Sequence, residues 1–169
     1  MLIRRSKAYL AHDYPESLPM DELEDVFLSV EDTVHYQITS SDSPTEWGSL
    51  FPPGEGFVHM GAQDRPFCIS MFHQLHCLNN LKKAVVADQL SPGQSRHLDH
   101  CINYLRESVL CHPSLRLEPR SVHLLERYGI KGVDGLGLVH ECRDWQAVYE
   151  AAAENFSSWK MRTSSGADI

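Results

Sequence analysis

The pattern His-x-x-His-Cys is written twice in this chain, as HQLHC at 73–77 and HLDHC at 97–101, 24 positions apart. With ten histidines and five cysteines in 169 residues, chance supplies about 0.02 copies per chain. The repeat therefore constrains the fold: two segments of like conformation must present like side chains. On a helix, residues three or four apart share a face. His73, His76 and Cys77 then project together, with Asn80 one turn on. His97, His100 and Cys101 do the same, with Tyr104 one turn on.

The flanking residues support helices. FCISMFHQLHCLNNLKKAVVAD (67–88) holds no Gly or Pro, and Met71, Leu75, Leu78, Leu81 and Val85 recur at spacings of three and four, the apolar stripe of a helix. LSPGQS (90–95) reads as a turn. RHLDHCINYLRESVLCH (96–112) is a second helix, with Leu98, Ile102, Leu105 and Val109 as its stripe and Pro113 as its stop. The short connection predicts an antiparallel hairpin, with axes about 8–10 Å apart so that imidazoles can meet. The register is less favourable. His76 lies about 15 residues before such a turn and His97 only a few after it, a gap of roughly 15–20 Å. Four imidazoles on one ion then need a steep crossing or a different turn.

The rest of the chain predicts a mainly α fold: a small helical domain built on this helix pair, with a minor β element. ECRDWQAVYEAAAENFSSW (141–159) is the third helix. Val34, Tyr36 and Ile38 alternate with polar residues, which predicts a strand; VFLSV (26–30) and FVHM (57–60) are shorter strand candidates. Ser43, Pro44 and Glu46 fit the cap, first and third positions of a brief helix. Residues 113–137 read as a turn-rich connection. Residues 1–20 form an extended arm, 21–160 a single catalytic domain and 161–169 a flexible tail.

The formal charge of −8 argues against a nucleic-acid surface. Hydrophobic content of 42% and charged content of 22% are those of a soluble globular domain. No run of about 18 apolar residues spans a bilayer, and the start lacks an apolar signal core. The chain reads as natively soluble or as one whose leading segment has been removed, and its localisation stays open.

The chemistry follows from the side chains. Imidazole suits copper, zinc, iron or nickel, and thiolate suits zinc and copper(I). His73, His76, His97 and His100 are the candidate ligands. HExxH and zinc-finger spacings are absent. Cys77 and Cys101 are ligands, a disulfide, or small buried apolar residues. Cys111 and Cys142 read as partners that staple the second helix to the third, and Cys68 as the odd thiol. His12, His59, His112 and His123 read as surface or satisfied core residues. Trp47 and Tyr104 read first as core packing and second as pocket or electron-relay residues.

MFHQLHCLNNLKK, HLDHCINYLRESVLC and HECRDWQAVYEA resemble the UstYa-like fungal oxidases. HDYPESLP, VEDTVHY and EWGSLFPPGEGFV fit the upstream part of that family, so the resemblance runs from about residue 12 to residue 159. The double motif is the family's hallmark. The resemblance implies a copper-dependent oxidase of fungal secondary metabolism, with one or two copper ions and O₂ as co-substrate. The reactions implied are oxidative cyclisation, hydroxylation, desaturation or halogenation of a peptide or another small molecule. It carries His73, His76, His97 and His100 over as catalytic ligands and makes His140 a secondary candidate. Arg143 and Asp144 read as an ion pair or helix-start cap before a substrate role. Family members usually carry a membrane anchor in the secretory pathway, which this sequence does not show. Two other readings are a non-redox cyclase or isomerase using the histidines as acid and base, and a structural zinc module that binds a partner protein. A homo- or hetero-oligomer is compatible with each.

Overall fold

The computed structural model describes residues 7–165. In chain order the elements are β1 (Asp25–Ser29), α1 (Ser43–Gly48), β2 (Phe57–Met60), β3 (Arg65–Cys68), α2 (Ser70–Val85), α3 (Pro92–Cys111), α4 (Val122–Tyr128), β4 (Val139–Arg143) and α5 (Trp145–Ser165). The fold is mainly α, and its strands form two antiparallel ribbons. β1 pairs with β4, Asp25 opposite Arg143 and Ser29 opposite Val139. β2 pairs with β3, Phe57 opposite Cys68 and Met60 opposite Arg65.

The core sits where the β2–β3 ribbon meets the start of α2 and the middle of α5. Val58, Phe72 and Ala152 are buried there, with Leu18, Phe51, Ile69, Met71, Leu75 and Val148 around them. Asn155 of α5 fixes the ribbon's position: its amide accepts from His59 N at 2.6 Å and donates to His59 O at 3.2 Å. That fit anchors α2, because Phe72 in its first turn is the side chain that α5 and the ribbon enclose.

The arm packs on this core from Tyr9 onward. Arg65 donates to Tyr9 O and Ala11 O, and Tyr14 meets Phe67 with ring centres 5.1 Å apart. Residues 1–6 lie outside the described region.

Several predicted elements differ. Residues 34–38 form no strand. Tyr36 has φ +57°, which breaks a pleat, and side chains of α1 bind this segment instead. Glu46 holds His35 Nδ1 at 2.6 Å and accepts from Tyr36 N at 2.7 Å. Trp47 donates to Tyr36 O, and Ser43 Oγ donates to Gln37 O. Ser43 is thus the first residue of α1 rather than its cap, which is Asp42. VFLSV supplies β1 over Asp25–Ser29, and FVHM is β2. The predicted connection 113–137 contains α4, with Ser121 capping its Leu124 N at 3.0 Å.

The third helix starts later than predicted. Residues 139–143 pair with β1, and Asp144 Oδ1 accepts from Gln146 N and Ala147 N, so the helix begins at Trp145. Arg143 pairs with Asp25 at 2.9 Å. The expected tail is helical through Ser165, where Arg162 meets Asp64 at 2.7 Å; residues 166–169 lie outside the described region.

Candidate functional site

α2 and α3 form the predicted antiparallel hairpin, but its turn lies earlier than the sequence suggests. α2 ends at Val85 and α3 begins at Pro92. Ser91 and Gln94 make a reciprocal capping box: Ser91 Oγ accepts from Gln94 N, and Gln94 Oε1 accepts from Ser91 N at 2.9 Å. SPGQS is therefore the start of a helix and not a turn. Ser-x-x-Gln with proline in the first position was the signal for it. Moving the midpoint by about four residues shifts the antiparallel register by about eight, or about 12 Å. That removes most of the expected gap.

Cys77 and Cys101 lie nearly equidistant from the new midpoint. Both are fully buried and face each other between the helices. Burial, with a hydrogen bond to Cys101 second, pushes the Cys77 thiol up to about 12. This pair packs as small buried thiols. Cys111 and Cys142 are separate thiols, so the expected staple is not formed. Cys142 sits on strand β4 rather than a helix, and Cys111 is exposed at the end of α3. Cys68 is also a free thiol, and burial raises its pKa.

The four motif histidines come together on one side of the hairpin. Ring centres are 5.5 Å apart for His76–His97, 6.4 Å for His97–His100 and 5.6 Å for His73–His100. Tyr104 stacks on His73 at 4.2 Å, which holds that ring while its own hydroxyl pKa is raised, chiefly by burial. Asn80 Nδ2 lies 2.8 Å from His76 Nε2, so Nε2 accepts and Nδ1 carries the ring proton. Burial, followed by repulsion from His100, His76 and His97, lowers the His73 pKa. His140 lies on β4 opposite Leu28, outside the stacked rings and the cleft lining.

Two imidazoles on one ion at tetrahedral angles have ring centres about 5 Å apart, given metal–nitrogen distances of about 2.0–2.1 Å. The two cross-helix pairs fit that spacing. Their planes are inclined by 26° and 44° rather than turned nitrogen-inward. Among the described residues no group of three or more ligating side chains stands ready to hold an ion. The ring spacing across the helices is compatible with a shared ion, and ligation would require these side chains to rotate.

His73, His76 and His97 line an open cleft of about 1240 Å³. Phe51, Pro52, Pro53, Phe57, Phe72 and Tyr149 supply its apolar wall, and Asn79, Lys82 and Lys83 continue the α2 side. The sequence reading passed over these last three. Their helical spacing from His76 carried the signal, since His73, His76, Asn79 and Lys83 recur at three and four. Trp47 packs under Lys82, whose Nζ is 4.9 Å from the indole centre. Of the other histidines, His59 stacks on Trp159 at 3.8 Å with its Nδ1 buried and unpartnered, and His123 approaches Asp134 at 3.9 Å. No described helix is long and apolar enough to cross a membrane.

Residues 12–160 match the family described as mycotoxin biosynthesis protein UstYa. The UstYa family oxidase phomYe of Diaporthe leptostromiformis is 32% identical over 116 residues, covering 62% of this chain and 40% of that protein. Oxidase ustYb of Aspergillus flavus is 29% identical over 159 residues, covering 66% and 60%. Hydroxylase cctR of Talaromyces islandicus is 27% identical over 106 residues, covering 59% and 38%. The chain spans about half the length of these curated relatives. No solved structure matches it.

Proposed function

Because the chain belongs to the UstYa family, we propose that it is a copper-dependent oxidase of fungal natural-product biosynthesis, acting on a peptide or other small molecule. The observation that carries this reading is the cross-helix pairing of His73 with His100 and His76 with His97 beside a cleft large enough for a substrate. Relatives named oxidase and hydroxylase support the reaction class.

The donor set favours copper. It is all imidazole; the neighbouring thiols are buried, and burial raises the Cys77 pKa so that it stays protonated. Imidazole without thiolate or carboxylate suits copper well, whereas a structural zinc site closes with four fixed ligands. His73, His76, His97 and His100 would hold one ion, or two ions in cross-helix pairs. Copper bound there would supply one-electron chemistry with O₂ to remove hydrogen from a substrate C–H or O–H bond.

The protein's part is positional. The depressed pKa of His73 keeps its imidazole neutral, the state a ligand needs. Tyr104 fixes the plane of that ring, and an Asn80 amide turned to accept from His76 Nε2–H would leave Nδ1 as the ligand. Phe51, Phe57, Phe72 and Tyr149 line the substrate side of the histidines with apolar surface.

The test is the mass of the product. Copper-loaded protein given candidate substrates under O₂ should shift product mass by the loss of hydrogen or the gain of oxygen or halogen. Turnover by metal-free protein, or a product of unchanged mass, contradicts the proposal and returns the histidines to acid–base catalysis.

A further inference from the structure

The cleft differs in charge from the chain around it. The protein carries 23 acidic residues against 15 basic ones, yet Glu55 is the one acid lining the cleft, against Lys82, Lys83 and three histidines. Lys82 is held in place by its bond to Ser43 Oγ at 2.9 Å and by the Trp47 ring. Among the described residues neither lysine has a carboxylate within ion-pair distance. A fixed ammonium on an apolar wall, with no anion of its own, attracts one from a ligand.

Asn79 adds a second feature. Its Oδ1 is buried and has no hydrogen-bond partner, although buried polar atoms are nearly always paired. Asn79 stands one turn before Lys82 and Lys83 on the same helix face and lines the same cleft. Turned about its Cβ–Cγ bond, the amide would present this acceptor to the cleft beside two cations, which matches a ligand that carries an N–H donor next to a carboxylate. An N-acylated α-amino acid, the terminus of a peptide chain, has that arrangement. An acidic side chain holds its carboxylate farther from the backbone N–H.

Resting on the oxidase reading, we infer that the cleft anchors its substrate by a terminal α-carboxylate at Lys82 and Lys83, with the Asn79 amide turned to accept the adjacent N–H. The histidines lie further along the same stripe of α2, toward its start. The anchor therefore sets which part of the substrate faces them, and Lys82, Lys83 and Asn79 are specificity-determining residues.

The test uses metal-free protein and three probes: N-acetylphenylalanine, its primary amide, and 3-phenylpropionate. Amide ¹H–¹⁵N shifts are followed during titration. N-acetylphenylalanine should bind about tenfold more tightly than the amide, a charged hydrogen bond's worth, with shifts centred on residues 79–83. Phenylpropionate, which lacks the N–H, should bind more weakly than N-acetylphenylalanine. Lys82→Gln/Lys83→Gln should abolish the preference for the acid, and Lys82→Arg should keep it, separating lost charge from lost packing. Equal affinity for acid and amide, equal affinity for the two acids, or no saturable shift at millimolar concentration overturns the inference. Copper loading of the same variants is measured separately. Wild-type protein that fails to load copper contradicts the oxidase reading, whereas normal loading with no acid preference contradicts only the anchor.

Discussion

Gly54 lies in the turn that walls the cleft, and its replacement tests how that turn packs. Its φ is +84°, and a Cβ there would overlap the Phe156 ring of α5, with Cγ at 2.7 Å and Cε2 at 2.9 Å. The left-handed backbone costs an L residue about 1–2 kcal/mol, and the overlap about 1–3 kcal/mol more. Gly54→Ala should therefore destabilise by about 3 kcal/mol, against a total stability of about 5–15 kcal/mol for a domain. Phe156 is half-buried, with Trp159 at 5.5 Å and His59 at 6.5 Å. Its replacement by Ala should cost about 2 kcal/mol, less than for a fully buried ring. In that background the overlap is gone, and Gly54→Ala costs only its backbone share. The double variant should be about 1–3 kcal/mol more stable than the sum of the single losses predicts. Urea unfolding of all four proteins, followed by far-UV circular dichroism, measures this, with a constant m-value as the control. Additivity within about 0.5 kcal/mol would refute the packing of this turn on α5.

Further outcomes follow from the same geometry. Alkylation at pH 8 followed by peptide mass analysis should label Cys111 early and spare Cys77, whose pKa near 12 leaves about one thiolate in ten thousand; early labelling of Cys77 would contradict its burial. Ser121→Ala should cost about 1 kcal/mol through loss of the α4 cap, read as faster amide exchange over 122–128 (no change would mean the cap is idle). Hydrogen bonding from Ser121, first among its causes, depresses the Asp134 pKa. A depressed carboxylate stabilises the fold above its unfolded pKa of about 3.9, and that contribution is lost as pH falls through the lower folded value. Asp134→Asn should therefore remove this part of the acid sensitivity of α4 exchange; an unchanged pH profile would contradict it.

The sequence showed the helix pair because its signals are local: a repeated motif, a periodic stripe and long runs free of Gly and Pro. It misplaced the turn because LSPGQS carries turn residues that also start helices, and the Ser91–Gln94 box decides in favour of the helix. That error produced most of the predicted separation of the histidines. The alternation of Val34, Tyr36 and Ile38 was real but unused, since Glu46 and Trp47 bind that backbone from the side. The start of the third helix was misread because ECR pairs with a strand more than 110 positions earlier, a contact no local pattern reports. The cleft was partly legible. Its histidines were marked by repetition, whereas Asn79, Lys82 and Lys83 resembled ordinary helix-surface residues until the opposing wall from Phe51 to Phe57 was in place.

The central claim is that imidazoles from both helices share a transition ion. Pulsed electron paramagnetic resonance of the copper(II)-loaded chain counts coordinated imidazoles directly. The account predicts two or more equatorial imidazoles in wild type, with one lost in His73→Ala and one lost in His97→Ala, one substitution on each helix. Spectra that respond to substitutions on only one helix, or copper that binds without imidazole, would contradict it.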